Sequence, residues 1–452
     1  MSVSAVVLAA GKGTRMKSSL PKVLHPVAGK PMVQHILDTL GEVGVQSVNL
    51  IYGHGAEQLQ SALVNNQLNW CLQAEQLGTG HAVMQALPNI QEQDDVLILV
   101  GDAPLIKSNT LQTMISAKQH SDLVLLTVVV DDPTGMGRII REGEQVKAIV
   151  EHKDASDAQR QINEINTGIM MMGGADLKRW LGALKNDNAQ QEYYLTDIIE
   201  MAATEGKLIR AAQASSDIEV EGINNRVQLA KIERAYQLQQ AENLMLNGVS
   251  LADPSRLDIR GEVSTGSDVS IDVNVVLEGK VEIGSKVKIG ANCILKDCVI
   301  ADGAVIEPFS TVEEASVGAE CTVGPYARLR PGSVMKTKSK VGNFVEMKKT
   351  ELGEGAKANH LTYLGDAIVG AGANIGAGTI TCNYDGVNKF KTEIGAGAFV
   401  GSNSSLVAPV TIGNNSTVGA GSVVTKAVED DQLAIARGKQ RNIAEWQRPQ
   451  KK

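Results

Sequence analysis

IGAGAFVGSNSSLVAPVTIGNNSTVGAGSVV, residues 394–424, decides the fold. Ile394, Val400, Leu406, Ile412, Val418 and Val424 recur at every sixth position, and Gly395, Gly401, Gly413 and Gly419 directly follow four of them. Towards the N-terminus the same step links Val317, Val323 and Leu329, and before them Val269, Val275, Val281, Val287, Cys293, Val299 and Val305. Two residues beyond the first five of that series stand Ile271, Leu277, Ile283, Ile289 and Leu295, which puts each pair on one face of a strand. Gly284 and Gly290 follow where the chain must turn a corner. Six residues of strand span about 20 Å. Short strand, corner, short strand predicts a coiled prism of parallel strands, filled by stacked Val, Ile, Leu, Ala and Cys. The stretch TCNYDGVNKFKTE, 381–393, breaks the pattern and is expected to leave the coil as a functional loop.

The solenoid accounts for two oddities of composition. Of the 45 glycines, 26 lie from Gly248 onward, and aromatics are only 3% of the chain. A stack of small aliphatics with glycine corners needs both. At 452 residues the chain is long enough for two or three domains. Its apolar runs, such as 123–130, fall short of the ~18 residues of a membrane span. The first residues are apolar and then basic, the reverse of a signal peptide. Cys71, Cys293, Cys298, Cys321 and Cys382 form no CxxC pair and read as free thiols of a cytoplasmic protein. A net charge of −8 argues against general nucleic-acid binding.

The first ~225 residues alternate differently. Apolar runs at 5–10, 48–52, 96–100 and 123–130 read as buried strands, with amphipathic stretches such as 32–40 and 108–117 between them. That pattern predicts a mostly parallel α/β sheet covered by helices. Residues 226–246 lack Gly and Pro and read as a long linker helix, closed by Gly248 and stopped by Asp253-Pro254. The expected domains are therefore 1–225, a linker over 226–250, and 251–452.

Strand 5–10 runs into Gly11-Lys12-Gly13-Thr14-Arg15-Met16, which fits neither the Walker nor the dinucleotide pattern. Glycine lets backbone N–H groups approach a phosphate. The first 37 residues hold no acid but carry Lys12, Arg15, Lys17, Lys22 and Lys30, so this end of an acidic chain calls for an anion. Asp102 ends the strand 96–100, where ligands sit in open α/β sheets, and a carboxylate there is a natural Mg²⁺ ligand or a cap for the following helix. In the second half, 321–350 carries Arg328, Arg330, Lys336, Lys338, Lys340, Lys348 and Lys349 against Glu346 alone, a second cationic patch. His360 interrupts the aliphatic repeat between that patch and the polar loop, and a histidine suits removal of a proton from an amine nucleophile. Cys293 and Cys321 fall on inward positions. His54 and His81 read as local structural contacts, and Cys382 as a small tolerated side chain. A solenoid alone leaves open a single-activity enzyme whose prism merely assembles it.

LAAGKGTRM (8–16) with Pro21-Lys22 resembles the sugar-phosphate nucleotidyltransferases. QAEQLGTGHA (73–82), DDPTGMGRI (131–139), EHK (151–153), EINTG (164–168) and EGINNR (221–226) resemble, more narrowly, the bifunctional bacterial N-acetylglucosamine-1-phosphate uridylyltransferases/glucosamine-1-phosphate N-acetyltransferases. RLRPG (328–332), VGNFVEMKK (341–349), NHLTYLGDA (359–367) and NIGAGTITCNYDGVNKFKT (374–392) are similar to the acetyltransferase half of the same family. The resemblance implies a Rossmann-like nucleotidyltransferase, a linker helix and a left-handed β-helix in a homotrimer, with UTP and acetyl-CoA as co-substrates and Mg²⁺ as cofactor. It implies that Leu8, Ala9, Ala10, Gly11, Lys22, Gln73, Gly78 and Thr79 hold the nucleotide, and that Arg15 and Lys22 serve its phosphates. Asp102 and Asn224 would hold Mg²⁺; Gly137, Glu151, Asn166, Thr167 and Asn224 would hold N-acetylglucosamine-1-phosphate. Val100 stands where a Tyr often precedes the Gly-Asp pair, and a backbone contact there makes the change minor. His360 would be the general base, with Arg330, Lys348, Tyr363 and Asn374 on glucosamine-1-phosphate. Ala377, Asn383, Tyr384, Ser402, Ala420 and Arg437 would contact acetyl-CoA.

Overall fold

The computed structural model describes every residue except 1, 54, 64–66, 144, 189 and 452. The expectation for His54 lies outside the described residues. The chain divides into two compact units, 1–236 and 237–452.

The first unit is built on a sheet whose strands run, from edge to edge, Ile209–Gln213, Leu123–Val129, Glu164–Gly173, Asp95–Val100, Val3–Leu8, Ser47–Tyr52 and Leu68–Leu72. All neighbours in this order are parallel except Glu164–Gly173, which runs against both of its neighbours and also pairs antiparallel with Arg138–Glu142. Alternation along Val3–Leu8 sends Ala5 and Val7 into the core on one face and Val6 into the core on the other. The expected helices appear as Met32–Glu42 and Ser108–Lys118. The hairpin Arg138–Glu142/Gln145–Val150 and the antiparallel strand escaped the sequence reading.

The long helix is Arg226–Leu246. It is not a free linker. Ile232 belongs to the core of the first unit, whereas Ala241 and Leu244 belong to that of the second, so the division falls between Tyr236 and Gln237.

The second unit is the expected solenoid of short parallel strands. Most strand partners lie 17 or 18 residues apart, about three hexads to a coil, as Lys340↔Lys357↔Asn374 and Phe399↔Thr417 show. Ile394, Val400, Leu406, Ile412, Val418 and Val424 all point inward. One stretch of the predicted register is corrected. The offset changes between Glu278↔Lys296 and Val281↔Cys298, one residue shorter in the second pairing. Cys298 and Ala304 therefore enter the core, and Val299 is 45% exposed. Cys293 and Cys321 are buried as expected, and burial pushes the Cys293 thiol up to about 11.

Corner glycines answer to the next coil rather than to backbone conformation. A Cβ on Gly376 would lie 2.6 Å from the Ser402 amide nitrogen, and one on Gly401 2.7 Å from the Val418 carbonyl. The ejected loop is narrower than 381–393. Thr381 and Cys382 stay in a strand, Thr392 and Glu393 begin the next, and the partner step Ile380↔Ser405 lengthens to 25 residues around them.

Candidate active sites

In the first unit Leu8 lies opposite Val100, so both strands end at one edge of the sheet. The Ala9 amide donates to the Ile51 carbonyl at 2.9 Å and the Gly101 amide to that of Leu8 at 2.8 Å. These bonds turn 9–13 across the strand ends. Gly13 has φ 58° and faces Lys22, whose Cβ would lie 2.8 Å from a Cβ placed there. At Gly11 a Cβ would meet no protein atom within 4 Å, so packing does not demand that glycine. What it supplies is a side-chain-free floor.

Above that floor is a cavity of about 290 Å³ lined by Leu8, Ala9, Ala10, Gly11, Lys22, Gln73, Gly78 and Thr79, every residue expected around the nucleotide. Asp102 and Val100 line it too, as do Gln76 and Glu192, which the sequence reading missed. Glu192 arrives from a distant loop with no motif of its own. Gln73 is buried and donates to the Gly78 carbonyl at 3.1 Å, which ties two lining segments together. His81 contacts Gln73 and Gln85, each at 3.2 Å.

Lys22 Nζ pairs with Asp102 Oδ2 and also donates to Asn224 Oδ1 at 3.1 Å; Arg15 Nη2 donates to the same oxygen at 2.9 Å. The Ile223 amide holds the Asp102 carbonyl at 2.9 Å, which locks 222–224 beside the carboxylate. Asp102 is no helix cap, because the helix begins only at Ser108 after Lys107. Two oxygen donors thus converge on one positive charge, a donor set that suits Mg²⁺. Among the described residues no group of three His, Cys, Asp or Glu side chains gathers as a metal cage. A single carboxylate plus substrate phosphates is the usual Mg²⁺ arrangement, so the donors fit the ion.

Beside this cluster the Asn166 amide donates to the Gly137 carbonyl at 2.9 Å. Glu151 is half-buried, takes a 3.4 Å bond from Thr196, and has its carboxyl pushed up by burial. Asn166 Oδ1 accepts from the Gly168 amide at 3.1 Å. Thr167 is occupied structurally: its hydroxyl donates to the Leu126 carbonyl at 2.8 Å, bracing an irregularity in strand pairing between Asn166 and Met170. Arg138 is 1% exposed, donates to the Met136 carbonyl, and reaches His152 at 3.3 Å, so it anchors the loop that presents Gly137.

In the second unit Ala377, Ser402, Ala420 and Arg437, four of the residues expected around acetyl-CoA, climb one edge of the prism with His360. The Gly378 amide donates to the His360 carbonyl, that of Asn403 to Ala377 and that of Gly421 to Ser402, at 3.3, 2.7 and 2.8 Å. His360, Ala377, Ser402 and Ala420 are therefore rungs of successive coils. Arg437 caps the column with a 2.7 Å bond to the Ala420 carbonyl. The His360 side chain is exposed, and among the described residues no side chain hydrogen-bonds its ring.

A cationic cluster occupies another corner of the same coils. Arg330 pairs with Glu346 at 2.7 Å, while Lys389, Arg330 and Lys349 hold the Lys348 ammonium below its usual range, Lys389 most of all. Lys389 comes from the ejected loop, so the sequence reading of the patch at 321–350 could not include it. Tyr363 lies opposite Glu346 of the preceding coil, and Asn374, on the following one, lies opposite Lys357. Asn383 is buried against Asp366, and Tyr384, 59% exposed, donates to the Gly386 carbonyl.

A glycine-floored anion cradle with one metal-ready carboxylate, and a hexad solenoid with a free histidine on its edge, define a nucleotidyltransferase carried in one chain with a hexapeptide-repeat transferase. Sequence comparison agrees. Residues 5–164 match the MobA-like NTP transferase domain, 391–426 the bacterial transferase hexapeptide (six repeats), and 259–345 the GMPPB C-terminal domain. The bifunctional protein GlmU of Pseudoalteromonas atlantica is 70% identical over 451 residues, covering 100% of both chains. A solved Bacillus anthracis structure, assigned as a glucose-1-phosphate thymidylyltransferase, is 18% identical, covers 51% of this chain and 94% of its own, and has a TM-score of 0.41, too distant to carry argument. The chain belongs to the GlmU family, whose members join a uridylyltransferase and an acetyltransferase in one polypeptide. No helix among the described residues is long and apolar enough to cross a membrane.

Proposed function

We propose that the two sites work in sequence. The solenoid edge acetylates glucosamine-1-phosphate from acetyl-CoA. The first unit then joins the product to UTP, giving UDP-N-acetylglucosamine and pyrophosphate. The observation that carries this reading is the convergence of Arg15 and Lys22 on Asn224, with Lys22 also on Asp102, at the rim of the cavity.

In the uridylyl step the sugar phosphate oxygen attacks the α-phosphorus in line, the P–O bond to pyrophosphate breaks, and its electron pair leaves on the pyrophosphate. No proton need move. Two polyanions must meet, so catalysis is chiefly positioning and charge neutralisation. The backbone at 9–11 and Gln73, Gly78 and Thr79 hold the nucleotide. Arg15 and Lys22 offset the repulsion and the charge that builds on the leaving group. Glu151, Asn166 and Gly137 seat the sugar. Asp102 and Asn224 would hold Mg²⁺, which when bound supplies further neutralisation of the phosphates.

In the acetyl step His360 accepts a proton as the glucosamine nitrogen attacks the thioester carbonyl. The C–S bond breaks, and the thiolate of coenzyme A takes up the proton. Arg330, Lys348 and Lys389 bind the sugar phosphate, with Tyr363 and Asn374 beside it. The chain acts as a homotrimer whose acetyl sites are shared between copies. UTP and acetyl-CoA as co-substrates suit a cytoplasmic enzyme.

Purified protein assayed for both half-reactions, with products identified by mass, tests the reading. His360→Ala should abolish acetyl transfer and spare uridylyl transfer, and Asp102→Ala should do the reverse. Unchanged acetylation in the first variant, or Mg²⁺-independent uridylylation in the second, would remove the role concerned.

A further inference from the structure

Asp366 stands where the coil opens to eject its loop. It adopts a left-handed backbone, φ 48°, on a corner where preceding coils place Gly332 at 79° and Lys349 at 46°. Both feet of the loop reach it. Asn383 Nδ2 donates to Asp366 Oδ2 at 2.6 Å, and the Thr392 amide donates to the Asp366 carbonyl at 3.1 Å. The loop is tied again at its base, where the Phe390 amide donates to the Asn383 carbonyl at 2.8 Å. Asp366 is itself fixed, its amide donating to the Lys348 carbonyl at 3.0 Å. One residue therefore links the Lys348 coil to the start and the end of the segment that carries Tyr384 and Lys389.

The Asn383 contact is the demanding one. Asn383 is 7% exposed, and a buried amide N–H without an acceptor costs about 1–3 kcal/mol. The carboxylate answers that cost with a charge-assisted bond and fixes the plane of the amide. Gly365 makes the room: a Cβ there would lie 2.8 Å from Asn383 Nδ2 and would collide with the Tyr363 hydroxyl. Asp366 forms no ion pair among the described residues, although its amide is bonded to the Lys348 carbonyl.

We infer that Asp366 is a positioning residue for acetyl transfer, orienting the Asn383 amide and clamping the loop that brings Lys389 to the phosphate cluster. The inference rests on the reading that Asn383 lies at the reacting acetyl group. Its test is a double-mutant cycle in the full-length protein, with uridylyl transfer as an internal control. Asp366→Ala should lower kcat for acetyl transfer on the order of 10- to 100-fold, with KM for acetyl-CoA within about 3-fold. Asn383→Ala should lose as much, and the double variant no more than the worse single one. Asp366→Asn, which keeps an acceptor oxygen, should recover most of the activity. Asp366→Glu, which moves the carboxylate by one methylene while retaining its charge, should lose about 10-fold even if the alanine variant fails to fold. Losses that multiply in the double variant, or wild-type kcat in Asp366→Glu, overturn the inference alone. Wild-type acetylation by Asn383→Ala overturns the role of Asn383 and the inference with it.

Discussion

Lys22 holds the two oxygens that Mg²⁺ would use, so its removal should move metal binding and catalysis in opposite directions. Its side chain is 13% exposed and that of Asp102 20%, so the pair is poorly screened by solvent. Hydrogen bonds to charged groups contribute about 1.5–3 kcal/mol each. In Lys22→Met the ammonium no longer competes for Asp102 Oδ2 and Asn224 Oδ1. Mg²⁺ should then bind the nucleotide-free protein about 10- to 100-fold more tightly, at ~1.4 kcal/mol per tenfold. The same change deletes a cation from the phosphates, which should lower kcat/KM for uridylyl transfer about 10²–10³-fold. Titration calorimetry with MgCl2 on the full-length protein reads the first effect, and initial rates of pyrophosphate release read the second. Acetyl transfer by the same preparation should be unchanged and reports that the chain is intact. Mg²⁺ binding no tighter than wild type would refute the shared use of these oxygens.

Asp197 offers a pH-dependent test of the first unit. Burial and the negative charges of Glu200, Glu151 and Asp154 push its carboxyl up to about 6. The protonated form is therefore the one favoured by folding: its stabilisation is complete below the unfolded value near 3.8 and is lost as pH rises through about 6. Asp197→Asn should stabilise that unit by ~1–2 kcal/mol at pH 7.5, after allowance for solvent screening, and by little at pH 4. Scanning calorimetry at the two pH values decides it, and destabilisation at pH 7.5 would show the carboxylate to be more useful ionised at the start of its helix. A fragment ending at Leu246 should fold, keep uridylyl transfer and sediment as a monomer; sedimentation as a trimer would move the assembly interface out of the solenoid.

The solenoid was legible because its interior tolerates so little. Each inward position faces the same position one coil away, so only small apolar side chains fit, and the hexad shows in plain letters. The register slip near Cys298 was not legible for the same reason. Cys298, Val299 and Ile300 are all apolar enough for either face, and Val299 and Val305 extend the step of six beyond the point where the backbone abandons it. The antiparallel strand Glu164–Gly173 was hidden differently. Its Met170, Met171 and Met172 are buried at the centre of the sheet, yet they carry neither alternation nor β-branching. The long helix was legible from its lack of Gly and Pro, but not which core it serves, because its two halves bury side chains in different ones.

For the sites, sequence could reveal which residues are charged out of keeping with an acidic chain, but not which of them share an atom. The stretch 1–37 announced a need for an anion, and Asp102 announced itself at a strand end. That Arg15 and Lys22 are drawn to a single amide oxygen of Asn224, and Lys22 to Asp102 as well, depends on a turn some two hundred residues beyond them. The same limit separates Lys348 from Lys389 and the 73–82 segment from Glu192, where one member lies on a loop without periodicity. It also separates Asp366 from Asn383. The first reads as one more polar corner residue, and only the closure of the loop from Asn383 back to Thr392 makes its carboxylate the partner of a buried amide. The side chains that make contact with a polyanion leave a mark in composition. Those that hold the contacting groups still, such as Arg138 behind Gly137 and Asp366 behind Asn383, leave none, because their partners are supplied by the fold alone.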